Sequence, residues 1–430
     1  MTALIVRGGR PLSGRVEPSA NKNAVLPVLC STLLSDGPIT LRNVPEITDV
    51  TRIVEFFGEL GSTVTWDKKA KRLDIDHSTI SPQSKARLPQ AMRASIMMIP
   101  GLLVRLGEAR LEHEVKGCTL GAREIDPHVA VFRAFGAEVS QTGHEIVFRV
   151  TGTGQATRMW LEYASVTTTE NFILSALTVK GTSQIINAAC EPHVQEMCSF
   201  LELMGAKIVG KGTSMVSVEG GPKLGGADYT FSDDFHEVAT FLALAAVTGG
   251  DIAVRNDHPE HFDLIDRTFA KFGARVRHEN GWSRLEAPPR LKVEENFTSH
   301  LITKVEAAPW PYIPADLLPI FIALGVKAEG ETMFWNKVYE GGLTWHTELA
   351  LFGAHTLLCD PHRLITFGGG ELAPATVTSP YIIRVAIALL MVASSIEGES
   401  TILDADPIRR AHPGFVDNFV ALGADVKWVK

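Results

Sequence analysis

The stretch FGELGSTV at residues 57–64 is the most informative part of the sequence for the fold, because similar stretches occur five more times along the chain. In each copy an amphipathic run ends at a glycine and continues into a β-rich segment, a pattern typical of a helix closed by a left-handed glycine cap. The other copies are FRAFGAEV (132–139), LELMGAKI (201–208), FAKFGARV (269–276), LALFGAHT (349–356) and FVALGADV (419–426). Their near-even recurrence along the chain predicts a series of six similar supersecondary units.

A second glycine phrase precedes each copy and predicts the end of another helix and the start of a strand. These phrases are SDGPITLRNV (35–44), RLGEARLEH (105–113), VKGTSQIINA (179–188), TGGDIAVRND (248–257), AEGETMFWNKV (328–338) and IEGESTILDAD (396–406). Each unit should therefore contain helix, strand, helix and strand, with further short strands between units. This order excludes a doubly wound sheet, whose strands alternate strictly with helices, and predicts an α/β (α+β) architecture of two three-unit halves.

The second unit differs from the other five in length. The glycines of its two phrases, Gly107 and Gly136, lie farther apart in sequence than those of any other unit, such as Gly37 and Gly61 in the first. The extra residues fall within EHEVKGCTLGAREIDPH (112–128), which contains Cys118. Because an insertion in one copy of a repeat maps to a loop, often on the binding face, this segment is a candidate functional loop.

Equivalent positions at the predicted helix starts carry polar or charged residues. In five units the residue 14 places before the glycine of the second phrase is polar or charged. These residues are Asn23, Arg93, Thr167, Asp316 and Arg384, and Lys22 immediately precedes Asn23. Helix N-termini favour anions, and basic residues in a first turn run against the helix dipole. We therefore predict that these helix starts, with their basic residues, face an anionic ligand.

Composition excludes several classes of protein. The chain has 430 residues, is 45% hydrophobic and carries a formal charge of −8, which argues against a nucleic-acid-binding surface. Its five cysteines form no CxxC pair, so we expect neither disulfides nor a zinc ribbon, and a reducing cytoplasm as the setting. The uncharged stretch 385–396 is too short to span a membrane. The cluster DHPEHFD (257–263) predicts a turn and helix start rather than a metal site.

Three motifs together with the six-unit organisation resemble the enolpyruvyl transferases: SANKNAVLP (19–27), MRAS (92–95) and GCTLGAR (117–123). The resemblance covers essentially the whole chain. It implies a two-domain inside-out α/β barrel built from six βαβαββ repeats. One domain would span 22–232 and the other 1–21 plus 233–430, with the active site in the cleft between them.

The resemblance also implies an activity. The enolpyruvyl group of phosphoenolpyruvate would pass to a hydroxyl of a uridine nucleotide, UDP-N-acetylglucosamine in peptidoglycan synthesis, with no metal or cofactor and with fosfomycin as an inhibitor. Cys118 would be the general acid, Asp316 the base near the acceptor hydroxyl, and Lys22 a catalytic cation. The implied substrate-binding residues are Asn23, Arg93, Arg123, Glu124, Ile125, Asp126, Pro127, Tyr163, Ala164, Ser165, Val166, Val338, Arg384 and Arg410. Of the cysteines other than Cys118, all four are expected to be buried, at positions 30, 190, 198 and 359.

Chemistry explains these residue types. Phosphoenolpyruvate carries a phosphate and a carboxylate, which fixed cations bind, and the reaction needs one group to take a proton and another to give one. Three positions depart from the family pattern: Gly342 replaces an arginine, Ile382 an aspartate, and Tyr163 a lysine that usually contacts the diphosphate. Two alternatives therefore stay open: a specialised transferase acting on another uridine nucleotide such as UMP, or a non-catalytic nucleotide-binding homologue.

Overall fold

The structure is a computed structural model of the chain. It describes residues 2–81, 83–84, 88–89, 92–112, 124–288, 290–298 and 301–429. These residues form two compact units: a continuous unit of residues 20–112 and 124–232, and a discontinuous unit of residues 2–19 and 233–429. The chain passes between the units near residues 19–20 and 232–233.

The elements follow in chain order. The N-terminal strands are β1 (Ala3–Gly8) and β2 (Ser13–Val16). The continuous unit contains α1 (Lys22–Ser31), β3 (Ile39–Arg42), α2 (Thr48–Leu60), β4 (Thr63–Asp67), β5 (Arg72–Asp76), α3 (Ile99–Leu106), β6 (Glu108–Glu112), α4 (Asp126–Ala134), β7 (Ala137–Thr142), β8 (Glu145–Val150), β9 (Arg158–Trp160), α5 (Val166–Leu177), β10 (Gly181–Ile186), α6 (Pro192–Leu203), β11 (Lys207–Val209), β12 (Met215–Gly220) and β13 (Ala227–Thr230).

The rest of the discontinuous unit contains α7 (Phe235–Thr248), β14 (Asp251–Arg255), α8 (Asp263–Ala270), β15 (Arg275–Glu279), β16 (Trp282–Glu286), β17 (Thr303–Ala307), α9 (Leu318–Lys327), β18 (Gly330–Asn336), α10 (His346–Leu351), β19 (His355–Asp360), β20 (Arg363–Gly368), β21 (Thr376–Thr378), α11 (Ile383–Ser394), β22 (Gly398–Leu403), α12 (Asp406–Ala411), α13 (Phe415–Ala421) and β23 (Asp425–Val429). Short 3-10 turns at Arg93–Met98, Pro259–Phe262 and Ala315–Leu317 precede α3, α8 and α9.

The strands of the described residues form six small sheets, three in each unit. Five sheets share one order, in which a short edge strand runs parallel to a second strand and two antiparallel strands follow. These sheets are β13-β3-β5-β4, β9-β10-β12-β11, β2-β14-β16-β15, β17-β18-β20-β19 and β21-β22-β1-β23; the sixth is β6-β8-β7. The fifth sheet joins the two chain ends, because Leu4 of β1 lies opposite both Ile402 of β22 and Trp428 of β23.

Several helices are buried inside their unit, whereas others expose one face to solvent. In the discontinuous unit α7, α9 and α11 pack against one another, and each also packs against the strands of a different sheet. Thr248 is the one residue of α7 that is not buried, and the helix sequence FHEVATFLALAAVT is apolar around most of its circumference, as a fully enclosed helix requires. In the continuous unit α5 is buried along nearly all of its length. The expected inside-out α/β barrel of six repeats is confirmed.

The glycine signal has the predicted backbone conformation. The glycines that end the helices of the six FGELGSTV-like stretches have φ between 76° and 107°, a region that L side chains rarely adopt. Each follows a helix and precedes a strand, so the predicted helix ends and strand starts are confirmed in all six units. Among the described residues, the structure contains no helix that is both long and apolar enough to cross a membrane.

Candidate active site

Lys22 is the first residue of α1 and is held by a carboxylate. Its Nζ lies 2.9 Å from Oδ2 of Asp49, in the first turn of α2, and both side chains are less than one-fifth exposed. Asn21 caps α1 by accepting a hydrogen bond from the backbone N–H of Asn23 at 3.2 Å. Sequence reasoning missed Asp49, because an acidic residue in a first helical turn is ordinary in itself.

The buried imidazole of His128 connects two further predicted segments. Its Nε2 lies 3.3 Å from Oγ1 of Thr167, and its Nδ1 lies 2.8 Å from Nδ2 of Asn171. Burial and, to a smaller extent, the positive charge of Arg93 together lower the pKa of His128 to about 3, so the ring is neutral near pH 7. His128 therefore ties the first turn of α4 to the first turns of α5.

The two segments expected to hold the nucleotide lie at these adjacent helix starts. Asp126 and Pro127 open α4, and Ser165 immediately precedes α5 and accepts hydrogen bonds there from Thr168 and Thr169. Glu124, Asp126, Pro127 and Tyr163 are exposed, whereas Ile125, Ala164, Ser165 and Val166 are partly buried. Unpaired N–H groups at two neighbouring helix N-termini favour a ligand with negative charge.

Tyr163 stands where a lysine was expected on the family pattern. Its side chain is 47% exposed, and its backbone carbonyl accepts a hydrogen bond from Ser165 N–H at 2.7 Å. Partial burial raises the pKa of its phenol, and the carboxylate of Glu191 raises it further. The phenol is therefore neutral near pH 7, and it supplies one hydrogen-bond donor where a lysine would supply a full positive charge.

In the discontinuous unit one pocket collects the predicted base, a predicted cation and two of the departures from the family pattern. The lining of the pocket includes Asp316, Asn336, Tyr339, Gly342, Ile382 and Arg384. Asp316 lies in the 3-10 turn before α9, and Arg384 is the second residue of α11. Both side chains are therefore positioned by the starts of buried helices.

Arg384 is anchored on one side and has a free N–H group on the other. Its Nη2 lies 3.5 Å from Oδ2 of Asp234, while its Nη1 is buried without a hydrogen-bond partner in the described part of the chain. Asp234 caps α7 and accepts from His236 N–H at 2.9 Å. Burial alone would raise the pKa of Asp234, but the hydrogen bond from His236 and the charges of His236, Arg384 and His412 outweigh it and hold the pKa well below its usual range.

Asn336 shapes the other side of the pocket. Its Oδ1 accepts the backbone N–H groups of Val338 and Tyr339, each at 3.0 Å, and so fixes the turn after β18. A Cβ atom at Gly342 would lie 2.3 Å from Asn336 Nδ2. With this backbone and this Asn336 rotamer, position 342 cannot hold an arginine. Gly342 and Ile382, two of the three departures from the family pattern, line the same pocket.

The remaining predicted residues fall outside this pocket or outside the described residues. Arg410 lies in α12 with its guanidinium 5.8 Å from the Tyr381 ring centroid, and its Nε is buried without a hydrogen-bond partner among residues that the structure describes. Neither Arg410 nor Val338 lines the described pocket. Cys118 and Arg123 lie outside the described residues.

Three of the four other cysteines have the expected environment. Cys30, Cys190 and Cys198 are buried, and burial raises the thiol pKa of Cys190 to about 11 and that of Cys198 to about 12. Cys359 is exposed on β19, so the expectation of burial was wrong there. Cys359 has no cross-strand partner on β20, because the pairing of the two strands shifts register between Leu358 and Asp360, and sequence alone does not show such an irregularity.

Glu237, buried in α7 beside Asp234, makes stability depend on pH. Burial raises the pKa of Glu237 from 4.5 to about 7, and the charge of Asp234 contributes. Between these values the folded state holds a proton that the unfolded chain releases, so the free energy of unfolding falls as pH rises from about 4.5 to 7. We expect Glu237→Gln, which can still accept the Ser19 N–H, to flatten this fall in Tm–pH curves. Glu331→Gln, at an exposed position, is the control, and a Glu237→Gln curve parallel to wild type would contradict the assignment.

Comparisons with known proteins agree on one family. Residues 6–419 match the EPSP synthase (3-phosphoshikimate 1-carboxyvinyltransferase) family. The UDP-N-acetylglucosamine 1-carboxyvinyltransferases of Bradyrhizobium diazoefficiens and Borreliella burgdorferi are 37% and 32% identical to the chain. The first alignment covers 99% of this chain and 97% of the relative, and the second covers 100% of both. The chain therefore belongs to the EPSP synthase family of enolpyruvyl transferases and is a transferase.

Solved structures show the same fold. The enolpyruvyl transferase NikO from Streptomyces tendae superposes with a TM-score of 0.87 at 21% identity, covering 100% of this chain and 99% of that one. EPSP synthase from Acinetobacter baumannii gives 0.79 at 16% identity over the whole of both chains. The family and fold expected from the sequence motifs are confirmed.

Proposed function

We propose that the protein transfers the enolpyruvyl group of phosphoenolpyruvate to a hydroxyl of a uridine nucleotide, with UDP-N-acetylglucosamine as the first candidate acceptor. The observation that carries the proposal is the pocket that holds Asp316 beside Arg384, whose Nη1 has no hydrogen-bond partner among the described residues. A carboxylate and a fixed guanidinium in one pocket suit proton abstraction from a hydroxyl next to an anion. The candidate acceptor is the one that appears in the enzyme names of the relatives, UDP-N-acetylglucosamine.

The reaction is an addition followed by an elimination. In the addition Asp316 takes the hydroxyl proton, the acceptor oxygen bonds to C2 of phosphoenolpyruvate, and Cys118 delivers a proton to C3. In the elimination a proton leaves C3, the C2–O bond to phosphate breaks, and the C2=C3 double bond is restored. No oxidant or reductant is needed, and phosphate is the product released beside the enolpyruvyl ether.

The cations hold the two anionic groups of phosphoenolpyruvate. Lys22, fixed by Asp49, and Arg384, fixed by Asp234, are each positioned by a buried or half-buried carboxylate, so little side-chain freedom is lost on binding. Arg93, Arg123 and Arg410 are proposed to complete the set around the anionic substrates, with Asn23 nearer the sugar. We place the proposed reaction in the cytoplasm.

The nucleotide is proposed to bind at the starts of α4 and α5. Asp126, Ser165 and Val166 lie on two helix N-termini joined by His128, and a planar guanidinium such as that of Arg123 can stack on a pyrimidine ring. Glu124, Ile125, Pro127 and Ala164 complete the two segments. Val338, on the turn held by Asn336, is proposed to contact the sugar.

A second acceptor is favoured by specific observations. Gly342 and Ile382 remove one arginine and one aspartate of the family pattern from a single pocket, which leaves its net charge unchanged, and Tyr163 replaces a diphosphate-binding lysine. These changes suit a smaller uridine nucleotide such as UMP. Phosphate release from phosphoenolpyruvate, measured with UDP-N-acetylglucosamine, UMP and shikimate 3-phosphate, distinguishes the candidates. Turnover with the UDP-sugar supports the first proposal and turnover with UMP alone supports the second. No turnover or binding with any uridine nucleotide overturns both.

The side chain at position 163 is expected to determine the affinity for UDP-N-acetylglucosamine. We expect Tyr163→Lys to tighten UDP-N-acetylglucosamine binding about 10- to 100-fold, because a charge-assisted hydrogen bond to phosphate contributes about 1.5–3 kcal/mol. Titration calorimetry provides the measurement. Val209→Lys adds the same charge at an exposed strand position of the same unit and should leave the affinity unchanged. Equal effects of the two lysines would show that Tyr163 does not face the diphosphate.

A further inference from the structure

The segment between β14 and α8 brings two imidazoles and a carboxylate together. His258 precedes the 3-10 turn Pro259–Phe262, which carries Glu260 and His261. One ligand atom from each of these three side chains lies within 4.8 Å of the other two. The turn and helix start expected from the DHPEHFD motif are present, and the same turn folds the three side chains onto one another.

The distances within the cluster are short enough for the three side chains to reach one ion after they rotate. Nδ1 of His258 lies 2.8 Å from Oε1 of Glu260, and the rings of His258 and His261 stack at 5.2 Å between centroids with an interplanar angle of 25°. Ligand atoms about 2.0–2.2 Å from a common ion lie roughly 3 Å apart, so only small side-chain rotations are needed for the three groups to share one ion.

The surroundings hold one imidazole in place and leave the other ligands accessible. The ring of His261 packs against Phe235 and Trp310, each with a centroid distance of 6.0 Å. His258 and Glu260 are partly open to solvent, with side-chain exposures of 45% and 63%. The cluster thus has a fixed apolar wall on one side and room for water ligands on the other.

The local charge does not oppose a cation. Arg255, at the end of β14 before His258, is already paired with Asp233 through two N–H groups at 2.6 and 2.9 Å, and with Glu17 at 2.9 Å. The positive charge of this arginine is therefore matched by neighbouring carboxylates, and the carboxylate of Glu260 remains to balance a bound ion.

We propose that His258, Glu260 and His261 bind one divalent transition-metal ion of the zinc type, with water completing its coordination. Two imidazole nitrogens select such ions over Mg²⁺ and Ca²⁺, which prefer oxygen ligands. The ion would join the end of β14, through its following turn, to the start of α8. It is a site separate from the Asp316 pocket and takes no part in the proposed enolpyruvyl transfer.

Zn²⁺ titration calorimetry on the full-length, tag-free protein after chelator treatment tests the proposal. We expect one Zn²⁺ per chain, and at least about tenfold weaker binding in His258→Gln and in Glu260→Gln, since loss of even an outer partner of a metal ligand costs roughly 10- to 100-fold in affinity. His355→Gln removes an exposed histidine of the same unit and should bind as wild type does. Both variants change partly exposed side chains, and their Tm without metal should match that of wild type.

The absorption spectrum of bound Co²⁺ distinguishes metal binding at this site from metal binding by cysteine thiols. Its absorption spectrum in the wild-type protein should show nitrogen and oxygen coordination without a sulfur charge-transfer band, and His258→Gln should lose that spectrum. Wild-type Zn²⁺ affinity in His258→Gln and Glu260→Gln, or a sulfur band in wild type that persists in them, would overturn the assignment. Neither readout depends on enzyme activity, so the result is independent of the proposed reaction.

Discussion

Replacing Cys118 by alanine is expected to reduce turnover by about 100-fold or more, because positioned proton transfer contributes roughly 10²- to 10⁴-fold to rate. Nucleotide affinity should change little, since the thiol is proposed to handle a proton at C3 rather than to bind the acceptor. Cys118→Asp should retain activity, because a carboxyl group can also deliver a proton. Phosphate release and nucleotide titration on the same preparations separate these effects.

Cys359→Ala is the matched control, because it removes a thiol that the structure places on an exposed strand face. It should turn over as wild type does. Fosfomycin, a mimic of phosphoenolpyruvate, should alkylate Cys118, and peptide mapping identifies the adduct. Near-normal turnover in Cys118→Ala, or an adduct on another cysteine, would contradict the assignment of the general acid.

Asp316→Asn should have an effect of similar size. The substitution keeps the shape of the side chain in the turn that opens α9, but it removes the group proposed to take the acceptor proton. We expect kcat to fall by about 10²- to 10⁴-fold with the nucleotide affinity nearly unchanged, as measured by phosphate release and calorimetry.

Asp417→Asn provides the control for the loss of a carboxylate, since Asp417 is an exposed residue in the first turn of α13 in the same unit. It should leave kcat unaltered. A large rise in KM with normal kcat in Asp316→Asn would identify Asp316 as a binding group, and would leave the identity of the base to another side chain of the pocket.

The number of units and the places where their helices end could be predicted from the amino-acid sequence. A glycine with positive φ after an amphipathic run is a local event, because it depends on the backbone of one residue and the few before it. For that reason the phrases around Gly61, Gly136 and their four equivalents could be read without a structure. The same register predicted Lys22 and Arg384 at the helix starts where the structure has them, and it predicted a helix start at Asp316, which the structure places in the 3-10 turn immediately before α9.

The side chains that hold the predicted site residues in place could be identified only from the packing of the folded chain. Asp49 reaches Lys22, Asp234 reaches Arg384, and His128 reaches Thr167 and Asn171, and in every case the two partners come from different helices or helix caps. No sequence spacing encodes these contacts, because they depend on how whole helices pack. The folding of His258 and His261 around Glu260 is a local turn, but whether three side chains in a turn converge depends on rotamers that packing against Phe235 and Trp310 selects.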